Sequence, residues 1–394
     1  MDKTALHLSK LIDIGIALSS IRDIDKLLEM IVSEARSFTS SDAGSLYIKK
    51  PDGLHFVVSQ NDTLAKRLGK NLMQAKFKPF VIPCTNRSIA GYVANTGEVL
   101  NIADVYEIPS SKPYSFNSDF DKRNNYCSKS MLVVPLKDTK SNILGVLQLI
   151  NCLDGSGSPV SYGSDLEAMA LGLASQAAVA LSNAQLTQDL KQAHLDTIFR
   201  LSVAAEYRDN DTANHLRRMS NYSRLIAEKM GFTTAEQEFL LHAAPMHDVG
   251  KLGIPDSILQ KPGRLTPEER KIMERHTIIG AEILSGSDSD VLQLSELIAI
   301  VHHEKYDGTG YPRGLKGEEI PLVGRIVALA DVFDALSSAR VYKPAVPWDK
   351  VLAIIREDTG KHFDPAVTNA FFDVLDEVRK IYDTYQDVYD HKKV

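Results

Sequence analysis

A run free of helix-breaking residues constrains this sequence more than any other feature. From Asp165 to about Leu201 the chain contains no proline and a single glycine, Gly172, and alanine, leucine and glutamine dominate. Such a run predicts one long helix, because proline would remove a backbone hydrogen bond and glycine would weaken the helix. The chain has 394 residues, more than one domain usually holds, so we expect a domain on each side of this helix.

Apolar side chains follow the predicted helix at a spacing of three to four residues, which places them on one face. The stripe passes through Leu166, Leu173 and Leu181 and continues, with a shift in phase, through Leu186 and Leu190. These residues could pack on their own domain. Because the stripe runs past the first domain, we favour a signalling helix that pairs with a second copy of the chain, and the predicted state is a homodimer.

The part before the helix shows two kinds of periodicity. Apolar residues recur at helical spacing over residues 4–20 and again after Asp23. Alternating and β-branched runs predict strands at 45–48, 55–58, 131–134 and 145–150. Strands flanked by helices indicate an α+β domain.

Three segments of this part resemble a GAF domain, the small ligand-sensing module of many bacterial and phytochrome-type signalling proteins. They are residues 88–98 (SIAGYVANTGE), 130–136 (SMLVVPL) and 145–151 (GVLQLIN). The pattern of cyclic-nucleotide-binding members is matched only loosely, at 151–153 and 165–166. The resemblance therefore implies a GAF-like sensor fold whose ligand is unknown.

Charge and cysteine content argue against several function classes. The formal net charge of −6 provides no basic surface for nucleic acid or an anionic membrane. Cys84, Cys127 and Cys152 have no close pair spacing, so neither a disulfide framework nor a cysteine zinc site is predicted. We see no signal-peptide run, and no stretch approaches about 18 unbroken apolar residues. We expect a cytoplasmic protein without a membrane span.

Beyond residue 200 the periodicity is helical throughout, which predicts an all-α domain. Helices are predicted at 216–230, 235–247, 267–284, 291–301, 324–338, 348–358 and 365–385. Glycine and proline fall between them, notably at 261–263 and 308–314.

Metal-ligand side chains concentrate in this helical part. Asp248 and Asp331 lie among five of the eleven histidines, which are His215, His247, His276, His302 and His303. A lone histidine on a helix is usually structural, but adjacent His-Asp and His-His pairs are hard to explain by packing. Imidazole and carboxylate donors without thiolate favour Fe, Mn, Zn, Co or Ni. Two such ions about 3.5–4 Å apart can activate a bridging water for attack on a phosphoryl group.

Two segments carry a more specific resemblance. Residues 247–251 (HDVGK) and 302–312 (HHEKYDGTGYP) look like the HD-GYP family of bacterial phosphodiesterases. Further segments align in the same order at 206–215, 253–256, 261–263, 276–280, 314–317 and 325–336. The resemblance implies hydrolysis of cyclic di-GMP to pGpG and, in some members, further to GMP.

By position, the resemblance also implies roles for individual residues. The metal ligands would be His215, His247, Asp248, His276, His302, His303 and Asp331, with Asp248 as the bridge. Lys251, three residues after Asp248, would contact the scissile phosphate and offset its charge. Tyr311 would help to form the substrate pocket, and Arg340 and Lys343 would reach phosphate or guanine. The ions would be iron, with manganese as the alternative.

One position departs from the family pattern. Members with three metals carry a glutamate four residues before the first histidine, where this chain has Asp211. Aspartate keeps the charge and the one-turn spacing from His215, but it is one methylene shorter. Two ions and three ions therefore both stay open, and Asp211 could equally be a charge or cap at a helix N-terminus.

These observations combine into one hypothesis. The chain would be a metal-dependent cyclic di-GMP phosphodiesterase modulated by an unknown GAF ligand. Its parts would be an N-terminal helix (1–20), a GAF-like sensor (21–164), a signalling helix (165–200) and an HD-GYP domain (201–394). One alternative is a receptor that binds cyclic di-GMP without hydrolysing it. Another is a hydrolase of a different cyclic dinucleotide.

Overall fold

A computed structural model describes the chain over residues 3–21, 23–69, 80–209, 212–338 and 345–386. It divides into two compact units, Met1–Leu190 and Lys191–Val394. No helix among those ranges is both long enough and apolar enough to cross a membrane.

The first unit combines a sheet with helices, which confirms the α+β class. Its helices are α1 (Lys3–Ser20), α2 (Ile24–Thr39), α3 (Asp62–Leu68), α4 (Ile89–Thr96), α5 (Asp119–Asn124) and the first part of α6 (Ser164–Glu206). Its strands are β1 (Ser41–Lys50), β2 (Gly53–Asn61), β3 (Phe80–Ile82), β4 (Leu100–Ile102), β5 (Met131–Lys137), β6 (Ile143–Leu153) and β7 (Pro159–Val160). The four strands and the two N-terminal helices predicted from the sequence are all present, and α6 is the predicted long helix.

The strands form one antiparallel sheet in the order β3-β2-β1-β6-β5-β4, with β7 paired to β6. Strand β5 shows that both faces of the sheet are covered. Leu132 and Val134 pack in a core that includes α2 and α6, whereas Met131 and Val133 pack in a second core with α4. Burial on both faces explains why β5 reads as a continuous apolar run. On the α4 face the unit has a partly open cavity of about 880 Å³.

The second unit is helical, which confirms the all-α prediction. After the end of α6 its helices are α7 (Ala213–Lys229), α8 (Thr234–Ala243), α9 (Asp256–Leu259), α10 (Pro267–Glu274), α11 (His276–Leu284), α12 (Asp290–Val301), α13 (Leu322–Ser337), α14 (Trp348–Glu357), α15 (Pro365–Asp373) and α16 (Leu375–Thr384). Short 3-10 turns include Ala244–Met246 and Val249–Gly253. Tyr222, Phe333 and Phe371 are fully buried in the core of this unit.

Three predicted helices were too long. The helix predicted over 235–247 ends at Ala243, because Pro245 has no amide hydrogen to continue the α-helical pattern. The helix predicted over 365–385 breaks at Val374, between α15 and α16.

The helix predicted over 267–284 breaks at Arg275. Here side chains bond to the backbone carbonyls at the end of α10, since His276 Nδ1 lies 2.7 Å from the Met273 oxygen and the Thr277 hydroxyl donates to the Glu274 oxygen. Such local bonds compete with the regular helical pattern. The break leaves His276 at the start of a new helix, with its side chain buried.

Candidate metal centre

Seven of the predicted metal ligands belong to the described residues, and the structure brings them into two neighbouring groups. Within each group, one donor atom per residue lies within 4.8 Å of the others. One group contains Asp248, His276, His302 and His303, and the other contains His215, His247 and Asp331. Asp211, Arg340 and Lys343 lie outside the described residues.

Chain geometry places the adjacent pair His247 and Asp248 between two 3-10 turns rather than within a long helix. The second turn packs against the start of α11 at Gly250. A Cβ added there would lie 1.8 Å from the His276 carbonyl oxygen and 2.4 Å from the Gly280 nitrogen. Only glycine permits this approach, which brings the Asp248 segment against the helix that carries His276.

Backbone carbonyls determine the tautomers of three buried histidines. The Nδ1 atoms of His247, His276 and His302 lie 3.0, 2.7 and 3.0 Å from the carbonyl oxygen three residues earlier. A carbonyl oxygen only accepts, so each Nδ1 must carry a hydrogen and donate. The remaining Nε2 atoms are therefore available as ligands, as is usual for metal-binding histidines.

These Nε2 atoms face acceptors at short distance. Those of His276 and His302 lie 3.1 and 3.4 Å from Asp248 Oδ1. Within the described chain, neither atom has a hydrogen-bond partner, and the same holds for His247 Nε2 and Asp248 Oδ1. A neutral imidazole lone pair and a carboxylate oxygen repel at this distance unless a proton or a metal cation lies between them. The donor set therefore fits divalent ions of the Fe, Mn or Zn type.

A second carboxylate orients the ligand on α7. His215 Nδ1 lies 2.9 Å from Asp334 Oδ2, and His215 Nε2 lies 3.5 Å from Asp331 Oδ1. Arg218 Nε donates to Asp334 Oδ1 at 2.7 Å. Burial raises the pKa of Asp334, but the bonds from His215 and Arg218 outweigh burial and hold this pKa below its usual value. Asp334 is thus an ionised acceptor that fixes the His215 ring.

Lys251 lies buried against three carboxylates. Its Nζ is 2.8 Å from Asp248 Oδ2, 2.5 Å from Asp209 Oδ2 and 3.4 Å from Glu206 Oε2. Burial alone would lower its pKa, but the three carboxylates raise this pKa well above the usual value. Lys251 is therefore an ammonium beside Asp248, as the predicted contact with a phosphate would require.

The Gly-Tyr-Pro segment (310–312) lies close to His303. The Tyr311 ring stacks on the His303 ring with centroids 4.8 Å apart, and the Tyr311 amide donates to the His303 carbonyl at 3.2 Å. The buried Glu304 carboxylate accepts the backbone amides of Arg313 at 2.7 Å and Leu315 at 3.0 Å. Glu304 therefore fixes the segment that presents Tyr311 to the cluster.

Sequence reasoning missed the functions of Glu206 and Glu304. Both belong to segments that carry the resemblance, but neither occupies a ligand position of the pattern. A glutamate at the end of a long helix or after two histidines is usually solvated. In the sequence, their position inside the aligned motifs was the one sign of a function. In the structure, burial distinguishes both glutamates from ordinary solvated ones.

Comparison with known proteins supports both halves of the fold. Residues 23–181 match the family model of the GAF domain, and residues 201–367 match that of the HD domain. The chain therefore carries a GAF domain followed by an HD domain.

Three relatives show how much of the chain is shared. The chain is 50% identical over 182 residues to the cyclic di-GMP phosphodiesterase response regulator RpfG of Xanthomonas campestris pv. campestris, covering 46% of this chain and 48% of the relative. It is 49% identical over 182 residues to a cyclic di-GMP phosphodiesterase of Thermotoga maritima (46% and 50%). It is 40% identical over 197 residues to the 3'3'-cGAMP-specific phosphodiesterase 2 of Vibrio cholerae (50% and 37%). The match thus spans about half or less of each curated relative.

Proposed function

We propose that this chain is a metal-dependent phosphodiesterase that hydrolyses cyclic di-GMP to pGpG, with GMP as a possible further product. The observation that carries the proposal is the set of buried Nε2 atoms on His247, His276 and His302, which face Asp248 and lack partners among the described residues. Divalent ions held there, with iron favoured and manganese the alternative, supply Lewis-acid activation of water and of the phosphodiester.

The protein's own groups then have distinct tasks. Asp248 lies in the first ligand group and within 3.3 Å of His247 Nε2 in the second, a position suited to a bridge. Lys251 presents a permanent positive charge next to Asp248 for the phosphate. Tyr311, stacked on His303, forms a wall beside the ligands. Arg340 and Lys343 remain proposed contacts to phosphate or guanine.

Relatives support the substrate class. Those named for cyclic di-GMP reach 50% and 49% identity, and the relative named for 3'3'-cGAMP reaches 40%. We therefore favour cyclic di-GMP and keep 3'3'-cGAMP as the second candidate. The intact ligand set argues against a receptor without turnover.

We propose domain limits of 21–164 for the sensor, 165–200 for the connecting helix and 201–394 for the catalytic domain. The GAF cavity would bind the modulating ligand of this cytoplasmic enzyme. Support for a homodimer comes from α6, where Leu186 and Leu190 are 62% and 72% exposed. Exposed leucines on a long helix favour pairing with a second copy.

Turnover by the full chain tests the proposal. Protein reconstituted without oxygen with Fe²⁺ or Mn²⁺ should hydrolyse cyclic di-GMP, and side-by-side rates on 3'3'-cGAMP decide the substrate. Replacing His247 and Asp248 by alanine should abolish turnover while the protein stays folded. His242→Ala is the matched control, because this half-buried histidine belongs to neither ligand group. Full activity in the double variant would contradict the proposed mechanism.

A further inference from the structure

Glu206, the last residue of α6, has a carboxylate that none of the predicted roles uses. The residue is only 1% exposed, and its Oε1 atom has no hydrogen-bond partner within the described ranges. An unpaired buried carboxylate oxygen is strongly unfavourable unless a cation or a donor compensates it. Oε1 therefore requires a partner that the described residues do not provide.

The surroundings of Glu206 indicate what that partner is. A carboxylate oxygen of Glu206, a ring nitrogen of His247 and a carboxylate oxygen of Asp248 all lie within 4.8 Å of one another, and all three residues are buried. His247 Nε2 and Asp248 Oδ1 also lack hydrogen-bond partners within the described part. A single cation among these three residues would satisfy both Glu206 Oε1 and His247 Nε2, while Asp248 Oδ1 lies towards His276 and His302.

A role as counterion to Lys251 does not account for this arrangement. Lys251 Nζ already lies 2.5 Å from Asp209 and 2.8 Å from Asp248, and Glu206 approaches it at 3.4 Å through Oε2 alone. Asp209 and Asp248 thus already pair with the ammonium at short distance, and Lys251 does not require Glu206 as a further counterion. The unpaired Oε1 atom of Glu206 therefore remains available to a positive charge other than Lys251.

We propose that Glu206 is a direct ligand of the metal centre, binding through Oε1 the ion that His247 and Asp248 hold, while Oε2 faces Lys251. The inference rests on the proposed metal-dependent function. It places a buried carboxylate in the coordination shell whether or not Asp211 contributes one.

Mn²⁺ binding to the metal-free full chain tests the proposal. Glu206→Gln keeps the shape and removes the charge, and it should weaken the binding of one Mn²⁺ ion by at least about 100-fold in a calorimetric titration, more than is usual for a residue that only orients a ligand. Asp209→Asn is the matched control, because it removes a closer ion pair of Lys251 without touching the three-residue group, and it should bind Mn²⁺ as the natural chain does. Wild-type affinity in Glu206→Gln, or equal losses in both variants, would overturn the proposal. So would a loss in Asp211→Asn that Glu206→Gln does not share.

A second measurement does not depend on the folding of a variant. In crystals of the natural chain soaked with Mn²⁺, the anomalous signal should place an ion in bonding contact with Glu206 Oε1, and an ion bound by His247 and Asp248 without Glu206 would refute the assignment. Both readouts omit the cyclic dinucleotide. If the chain binds Mn²⁺ through Glu206 but does not hydrolyse cyclic di-GMP, the ligand assignment holds and the proposed function is wrong. If the enzyme is active but binds Mn²⁺ independently of Glu206, only the ligand assignment is wrong.

Discussion

The GAF domain and the HD domain both bury polar side chains, but only in the HD domain do several unpaired polar atoms of the described residues converge on one point. In the GAF domain, Asp42 accepts the Thr63 hydroxyl at 2.8 Å and the Tyr126 hydroxyl at 2.7 Å. In the HD domain, by contrast, buried atoms without hydrogen-bond partners in the described part occur together on Glu206, His247, Asp248, His276 and His302. Paired buried groups stabilise a fold, whereas unpaired ones that converge on one point indicate a ligand.

This difference explains why the two domains reveal their functions unequally. The GAF cavity is lined largely by rings and small polar groups, including Tyr47, Phe56, Phe116 and Gln148. Such a lining accepts many ligands, and the fold does not select one. In the metal centre, donor type and tautomer restrict the ligand to a cation.

The largest expected effect follows from adding one methyl group at the metal centre. Gly250→Ala would place a Cβ at 1.8 Å from the His276 oxygen, so the Asp248 turn and α11 must separate. We expect turnover and bound metal to fall by at least about 100-fold, since metal sites do not tolerate loss of ligand geometry. Gly155→Ala, in a GAF loop with nothing within 4 Å of the added atom, should change neither. Unchanged metal content in Gly250→Ala would contradict the close packing described here.

A smaller effect on turnover is expected from Glu304, whose carboxylate is fully hydrogen-bonded and fixes the segment beside the metal centre. Glu304→Gln removes the charge that accepts the amides of Arg313 and Leu315, and such charged hydrogen bonds contribute about 1.5–3 kcal/mol. We expect KM for the cyclic dinucleotide to rise about tenfold or more while the bound metal stays constant. Glu318→Gln, at an exposed position nearby, serves as the control. Loss of metal in Glu304→Gln would show that Glu304 supports the ligands rather than the Gly-Tyr-Pro segment.

The pH dependence of metal binding follows from His247. Burial lowers its pKa, but Asp248, Asp331 and Glu206 outweigh burial and raise this pKa from 6.5 to about 9 in the metal-free protein. Protonation of His247 therefore stabilises the metal-free fold fully below pH 6.5, and this contribution is lost as the pH rises through about 9. A metal ion needs the neutral ring.

Mn²⁺ affinity should consequently increase as the pH rises from about 7 towards 9, with release of a proton on binding. Calorimetry in buffers of different ionisation enthalpy measures both quantities. An affinity that stays constant over this range would show that His247 is neutral before the metal binds.

The smallest effect on the metal centre is expected from the GAF domain. Asp42→Asn weakens the acceptor for Thr63 and Tyr126, and the GAF domain should lose about 1–3 kcal/mol of unfolding free energy. Bound metal should stay at the level of the natural chain. Denaturant unfolding together with metal analysis checks both expectations, and a loss of metal would break the contrast between the two domains.

Much of the fold could be predicted from local patterns. The proline-free run gave helix α6, and alternation gave strands such as β5, because both signals depend on neighbours in sequence. The break at Arg275 could not be predicted, since it depends on bonds from His276 and Thr277 to nearby carbonyls. Propensity alone favours a continuous helix there.

The candidate site shows the same division. His247 and Asp248 were conspicuous because two ligand types are adjacent in sequence. Glu206 was not, because its proximity to His247 exists only in the folded chain. Burial and an unpaired oxygen identify Glu206, and neither property can be read from a single sequence.

The most direct test of the central claim is anomalous diffraction from crystals of the full chain loaded with Mn²⁺. The account predicts peaks in bonding contact with the Nε2 atoms of His247, His276 and His302 and with both oxygens of Asp248. Density that shows these nitrogen atoms hydrogen-bonded to water, with no anomalous peak at saturating Mn²⁺, would contradict it.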